Sequence, residues 1–272
     1  VKLKYIWQNS LLWLLLLWCL LSLIYHCSLP VILSGVAVWV LLIYTLAPGV
    51  FWNYLSYFSF DQQKKERLLL KALSYKPLIL QPYTTLAMMY VRQKRWLESV
   101  TILERVIETA NPRFGADVKI LLAIAYRESG SYDEAVETLT GLLKQGVKSF
   151  LIYFNLAATY LKSGRLEEAL AAAEKARSFD VKSTQPVLLM GRVHFELREF
   201  EKAKDDYQWA INHLSWPVES YYWLGRAELE LGEKEAAIEH FQKAVEKIRD
   251  DPEMSDVSLS EAEEWLRKTN DL

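Results

Sequence analysis

Four pairs of adjacent carboxylates, Glu167-Glu168, Asp205-Asp206, Asp250-Asp251 and Glu263-Glu264, are the side chains of this sequence best suited by type to acid–base work. Such work needs two groups that converge on one substrate. On a helix of 3.6 residues per turn, neighbours point about 100° apart. Each pair therefore reads as a solvated helix face. The four histidines, His26, His194, His213 and His240, are scattered, with no cysteine or carboxylate at a metal-ligand spacing. The two cysteines, Cys19 and Cys27, match no zinc or redox motif and are too few for a disulfide framework. The expectation is a protein that is not an enzyme, with no catalytic residue, no metal, no cofactor and no small-molecule substrate.

The net charge of −2 conceals an asymmetry. Residues 1–60 carry only Lys2 and Lys4, and from Tyr5 through Phe60 there is no Asp, Glu, Lys or Arg. All 34 acidic side chains and the other 30 basic ones fall in residues 61–272, a balance of −4. That balance argues against nucleic acid, whose phosphates reward clustered Lys and Arg.

Residues Tyr5–Tyr25 form an apolar run long enough to cross a hydrocarbon core of about 30 Å. A second run, Leu29–Leu46, starts at Pro30 and ends near Ala47-Pro48-Gly49. The short turn between them predicts an antiparallel transmembrane hairpin. The flanking Lys2, Lys4, Lys64, Lys65, Arg67 and Lys71 place both ends in the cytoplasm by the positive-inside rule. The aromatic stretch 50–60 is expected at the interface. Val1 matches a literal reading of a GTG start codon, which points to a bacterium. The localisation expected is an integral membrane protein of the bacterial plasma membrane. It would have two spans, contact the bilayer through residues 5–60, and keep its N-terminus and its charged part in the cytoplasm.

Self-similarity organises the rest. Tyr90, Tyr126, Tyr160, His194 and Glu228 align at intervals of 36, 34, 34 and 34 residues. Three positions earlier stand Ala87, Ala123, Ala157, Gly191 and Gly225, and nine positions later Ser99, Ala135, Ala169, Ala203 and Ala237. Four beyond those stand Leu103, Leu139, Ala173, Tyr207 and Phe241. Small residues let helix backbones approach, and large ones fill the space between repeats. Gly130, Gly164 and Gly232 mark the turns.

The run Tyr153-Phe154-Asn155-Leu156-Ala157-x-x-Tyr160-x-x-x-Gly164-x-Leu166-x-Glu168-Ala169 resembles the tetratricopeptide-repeat (TPR) family, as does Trp223-Leu224-Gly225 with Gly232, Ala237, Phe241 and Ala244. The resemblance covers residues 61–250. It implies an all-α fold: a right-handed α-solenoid of about five helix-turn-helix repeats (80–250), preceded by a half-repeat helix (61–79) and the transmembrane hairpin (1–60). A capping helix and tail (251–272) would follow. Ser260 with Glu263 offers a capping box for that last helix. The first repeat departs from the pattern at Lys94, Ser99 and Val106.

In the family, the first helix of each repeat lines a concave groove, at the second, fifth, sixth, ninth, twelfth and thirteenth positions. The resemblance thus makes Thr84, Met88, Ile120, Ile124, Phe154, Leu188, Arg192, Tyr222 and Arg226 groove residues, and gives Asn155 the place from which family members hydrogen-bond a bound backbone. Thr84 and Met88 replace the Lys and Asn of the subfamily that clamps chaperone tails. The function expected is a membrane-tethered scaffold or adaptor that binds a protein or peptide whose apolar residues are followed by acidic ones. The alternative is an assembly factor or small subunit of a membrane complex acting through the hairpin.

Overall fold

The computed structural model describes residues 36, 37, 40, 41, 44, 47–75, 81–109, 115–214, 217–252, 255 and 257–271. Among them thirteen helices can be delimited and no strand. They divide into two compact units that meet in sequence at Ser129 and Gly130. The first holds α1 (Pro48–Tyr57), α2 (Gln62–Ser74), α3 (Gln81–Arg92), α4 (Trp96–Thr109) and α5 (Gly115–Ser129). The second holds α6 (Tyr132–Lys144), α7 (Phe150–Lys162), α8 (Leu166–Phe179), α9 (Gln185–Glu196), α10 (Phe200–His213), α11 (Val218–Glu230), α12 (Lys234–Asp250) and α13 (Leu259–Asp271). Within each unit every helix packs on its neighbour in sequence, so short connections close a series of helix hairpins.

The membrane expectation is corrected. The first expected span, residues 5–25, lies outside the described residues, and of the second only Val36, Ala37, Val40, Leu41 and Tyr44 are described. Among the described residues no helix is long and apolar enough to cross a membrane. The segment expected at a lipid interface is instead the ten-residue α1. At 1.5 Å per residue it spans only about 15 Å. It packs on α2, where Lys71 lies over the Trp52 ring at 3.8 Å.

Four of the turns repeat one device. At the end of α7, Arg165 N–H reaches Tyr160 C=O (2.9 Å) and Gly164 N–H reaches Leu161 C=O (3.1 Å), with Gly164 at φ +75°. This bond pair closes a helix on a left-handed residue. The same pair recurs after α3, α9 and α11. At two of these turns the left-handed residue is not glycine: Lys94 has φ +58° and Arg198 φ +61°. A side chain in that conformation costs about 1–2 kcal/mol, and the extra freedom of unfolded glycine returns only part of it. Arg198→Gly is therefore expected to raise the melting temperature by about 2–4 °C. An unchanged or lowered melting temperature by circular dichroism would count against this reading of the turn.

Packing follows the size pattern of the repeat. Tyr207, Tyr222 and Phe241 are fully buried in the second unit, and the bulky rings of Tyr207 and Phe241 on second helices each meet a small residue on a first. A Cβ added to Gly191 would lie 2.8 Å from the Tyr207 ring, and one added to Gly225 would lie 3.1 Å from the Phe241 ring. In the first unit, Leu103 and Ala87 share one core, both fully buried. Leu69 and Ala72 on α2 are likewise inaccessible, because α2 covers the flank of α3.

The last helix begins earlier than its sequence suggests. Ser258, not Ser260, caps it, its hydroxyl accepting the Glu261 N–H at 3.2 Å. The expected capping box is replaced because Glu263 turns outward to Arg249 at 2.6 Å. From this start α13 lays Leu259, Ala262, Trp265 and Leu266 on the core of α11 and α12.

Candidate protein-binding surfaces

The ten expected groove residues are divided between the two units. Thr84, Met88, Ile120 and Ile124 belong to the first unit, and the other six to the second. In the first unit Met88 is exposed, Thr84 and Ile124 are half-buried, and Ile120 is buried. In the second unit Asn155 is also buried, and its amide donates to Leu151 C=O on its own helix at 2.8 Å. That bond lies within α7. Phe154 is half-buried and stacked on Phe150, with ring centroids 5.7 Å apart. Leu188 packs on the core of α10 and α11.

Tyr222 is corrected most clearly. It is fully buried, so it lines no open surface. Its hydroxyl donates to Glu261 of α13 at 2.7 Å. Burial, reinforced by that carboxylate, pushes its phenol up to about 12. The physical reason is the capping helix, which takes the place of a further repeat against α11.

The two arginines sit differently. The Arg192 guanidinium lies 3.6 Å from the Trp223 ring centre, and that of Arg226 lies 3.8 Å from Trp265. Arg226 also donates to the Tyr222 hydroxyl at 3.3 Å. Neither arginine has an ion pair among the described residues, and the buried Nε of Arg192 has no hydrogen-bond partner. Stacking on indole fixes the plane of a guanidinium while its edge stays able to grip a carboxylate. On α7, Leu151 is 51% exposed. Helices α7, α9 and α11 thus bring an apolar end and two fixed cations to the first helices of three successive hairpins.

Two polar pairs escaped the sequence reading. His194 on α9 and Asp206 on α10 meet at 2.7 Å, and so do His240 on α12 and Glu228 on α11. Asp206 was expected on a solvated face. Its side chain is 15% exposed, and burial holds its carboxyl above the usual range against the pull of His194. A signal was present: His194 aligns with Glu228, and Asp206 stands 34 residues before His240. The two repeats carry the same acid–histidine pair in opposite order. In the first unit the aligned residue is tyrosine. The Tyr90 hydroxyl reaches Glu66 on α2 at 3.0 Å, and that of Tyr126 reaches Glu104 on α4. Among the described residues no group of three or more His, Cys, Asp or Glu could hold a metal ion.

Hairpins of equal length, stacked through small-on-large contacts, define a helical-repeat protein. Residues 120–181 and 188–252 match the family model described as tetratricopeptide repeat. Over those residues, 127 of the 272, the chain is similar to that family. Among curated proteins it is similar to Hsp70-Hsp90 organizing protein 3 of Arabidopsis thaliana, 34% identical over 82 residues. That match spans 30% of this chain and 15% of the relative. It is similar also to the Hsp70-Hsp90 organizing protein of Triticum aestivum, 32% identical over 99 residues, 34% of this chain and 17% of the relative. The chain thus spans about a sixth of the length of these relatives. Among solved structures, TTC0263, a thermophilic TPR protein of Thermus thermophilus, superposes with a TM-score of 0.57 at 20% identity. It covers 71% of this chain and 100% of its own. YrrB, described as a TPR protein with an unusual peptide-binding site, gives 0.51 at 15% identity over 75% of this chain and 98% of its own. At these identities the structures speak for the fold alone.

Proposed function

We propose that the repeat domain binds a partner protein through the first-helix face of the second unit, taking a segment whose apolar residues are followed by acidic ones. One observation carries the reading: Arg192 and Arg226 are stacked on tryptophans, with no carboxylate paired to either among the described residues. A buried or half-buried cation without a partner is costly, and a carboxylate from outside relieves that cost. Leu151 and Phe154 on α7 supply the apolar end. YrrB, by its description, has a peptide-binding site, which agrees with a peptide as the ligand class.

A fluorescein-labelled peptide with an apolar run before two glutamates tests this by anisotropy. A charge-assisted hydrogen bond contributes about 1.5–3 kcal/mol, so each arginine is expected to account for roughly ten- to hundredfold in affinity. Arg192→Ala with Arg226→Ala should weaken binding accordingly and flatten its dependence on salt. Leu151→Asp should abolish binding at any ionic strength. Wild-type affinity in both variants would exclude this face.

A further inference from the structure

Helix α1 keeps its large apolar residues on the outside. Its buried residues are Gly49, Val50, Asn53 and Ser56, mostly small or polar, and the described helix packed on it is α2. Small residues at such a contact let two helices approach closely. Tyr54, Leu55, Tyr57 and Phe58 are exposed instead, Phe58 to 78%, and Phe60 just past the helix is 99% exposed. Phe51, Tyr54, Leu55 and Phe58 stand at i, i+3, i+4 and i+7, which makes one stripe along the helix. With that spacing one helix seats against another. Tyr44 lengthens the patch: it is exposed and stands edge-on to Phe51, with ring centroids 5.2 Å apart.

Contiguous apolar patches of several hundred Å² mark interaction sites. At about 200 Å² for a large side chain, the open parts of Tyr44, Tyr54, Leu55, Tyr57, Phe58 and Phe60 come to roughly 700 Å². A standard interface takes about 800 Å² from each partner. The chemistry of the patch narrows the partner. A helix that lies on lipid carries Lys and Arg beside its apolar face, and α1 has neither. A partner selected by charge has nothing to read here, since no acidic or basic side chain occurs from Tyr5 through Phe60. In a two-fold contact each patch meets its own copy, so a charge near the axis faces its like. A charge-free stripe suits that arrangement. The next charges in the chain, Asp61 and Lys64, are exposed, opposite in sign and without an ion pair among the described residues. A two-fold axis sets Asp61 of one copy toward Lys64 of the other at the rim.

We propose that the outer face of α1 is a homodimer contact, in which two copies of this chain lay α1 on α1 across a two-fold axis. The contact uses first-unit residues only and does not depend on the arginines of the second unit.

Sedimentation equilibrium of the full chain tests this, with circular dichroism as the check on folding. The mass should rise with concentration and saturate at two copies in the micromolar range. Leu55→Glu with Phe58→Glu sets carboxylates against their own copies. It should raise the dissociation constant at least about a hundredfold with an unchanged melting temperature. Leu55→Ala with Phe58→Ala leaves the face uncharged but smaller and should weaken association about tenfold, which keeps the test decisive if the glutamates disturb folding. Val181→Asp, at an exposed apolar residue of the second unit, should leave the dimer as it is. A wild-type chain that stays monomeric, a dimer that both double variants leave intact, or a mass that climbs past two copies would overturn the proposal. Phosphatidylcholine vesicles that convert the dimer into lipid-bound monomer would overturn it as well, by assigning the face to lipid.

Discussion

Replacing His240 with alanine is expected to destabilise the second unit by about 3–4 kcal/mol, because it strands the Glu228 carboxylate, whose side chain is only 4% exposed. Glu228→His should cost a similar amount by setting two imidazoles face to face. The combination Glu228→His with His240→Glu should recover most of the loss, since the preceding repeat already holds its pair in that order, His194 on the first helix and Asp206 on the second. Urea unfolding of the four proteins forms a double-mutant cycle. A coupling energy under about 1 kcal/mol would show that the two sites are not interchangeable. The stack of His240 on Tyr221, with centroids 5.9 Å apart, is also lost in the swap, so recovery is expected to be incomplete.

Gly191→Ala is expected to reverse the usual sign of that substitution in a helix. In an exposed helix interior alanine is better than glycine by about 1 kcal/mol. Here the new methyl would sit 2.8 Å from the Tyr207 ring, which is fully enclosed and has nowhere to retreat. Overpacking of this kind costs about 1–3 kcal/mol or more, and it should outweigh the propensity gain. Tyr207→Leu alone should leave a cavity and cost about 2–4 kcal/mol. Together they recreate the alanine–leucine combination of Ala87 and Leu103, so the double variant should be more stable than Tyr207→Leu alone. If Gly191→Ala by itself raised the denaturation midpoint, the close approach of α9 and α10 would be in error.

Most of the repeat architecture was legible because it rests on spacing. The small position at Gly191 and Gly225, the large one at Tyr207 and Phe241, and the turn glycines Gly130 and Gly164 each recur after 34 residues. Each recurrence reflects a contact that must be made again in every hairpin. What a period cannot show is a substitution that changes partners. Asp206 looked like half of a solvated acidic pair until α9 brought His194 to it. Tyr222 stood at a groove position by register, but the helix after α12 lies over it, and no periodic pattern signals that covering. The apolar N-terminal segment was read by length and lack of charge alone. Where that region is described, it shows the short α1 lying on the charged α2, a contact invisible to hydropathy.

The change from tyrosine to the acid–histidine pair alters how energy is shared along the array. In the first unit Tyr90 and Tyr126 tie each hairpin to the helix before it, so part of the stability belongs to the junctions between hairpins. In the second unit His194–Asp206 and Glu228–His240 close within their own hairpins, so that part belongs to the modules themselves. In a linear array, strong junctions with weak modules give one sharp, all-or-none transition, while self-sufficient modules lower the penalty for a boundary between folded and unfolded segments. Hydrogen exchange should accordingly find α2 to α5 protected to one common level. From α9 onward, protection should descend in steps, hairpin by hairpin, so that the second unit can fray from its end while its remaining hairpins stay folded.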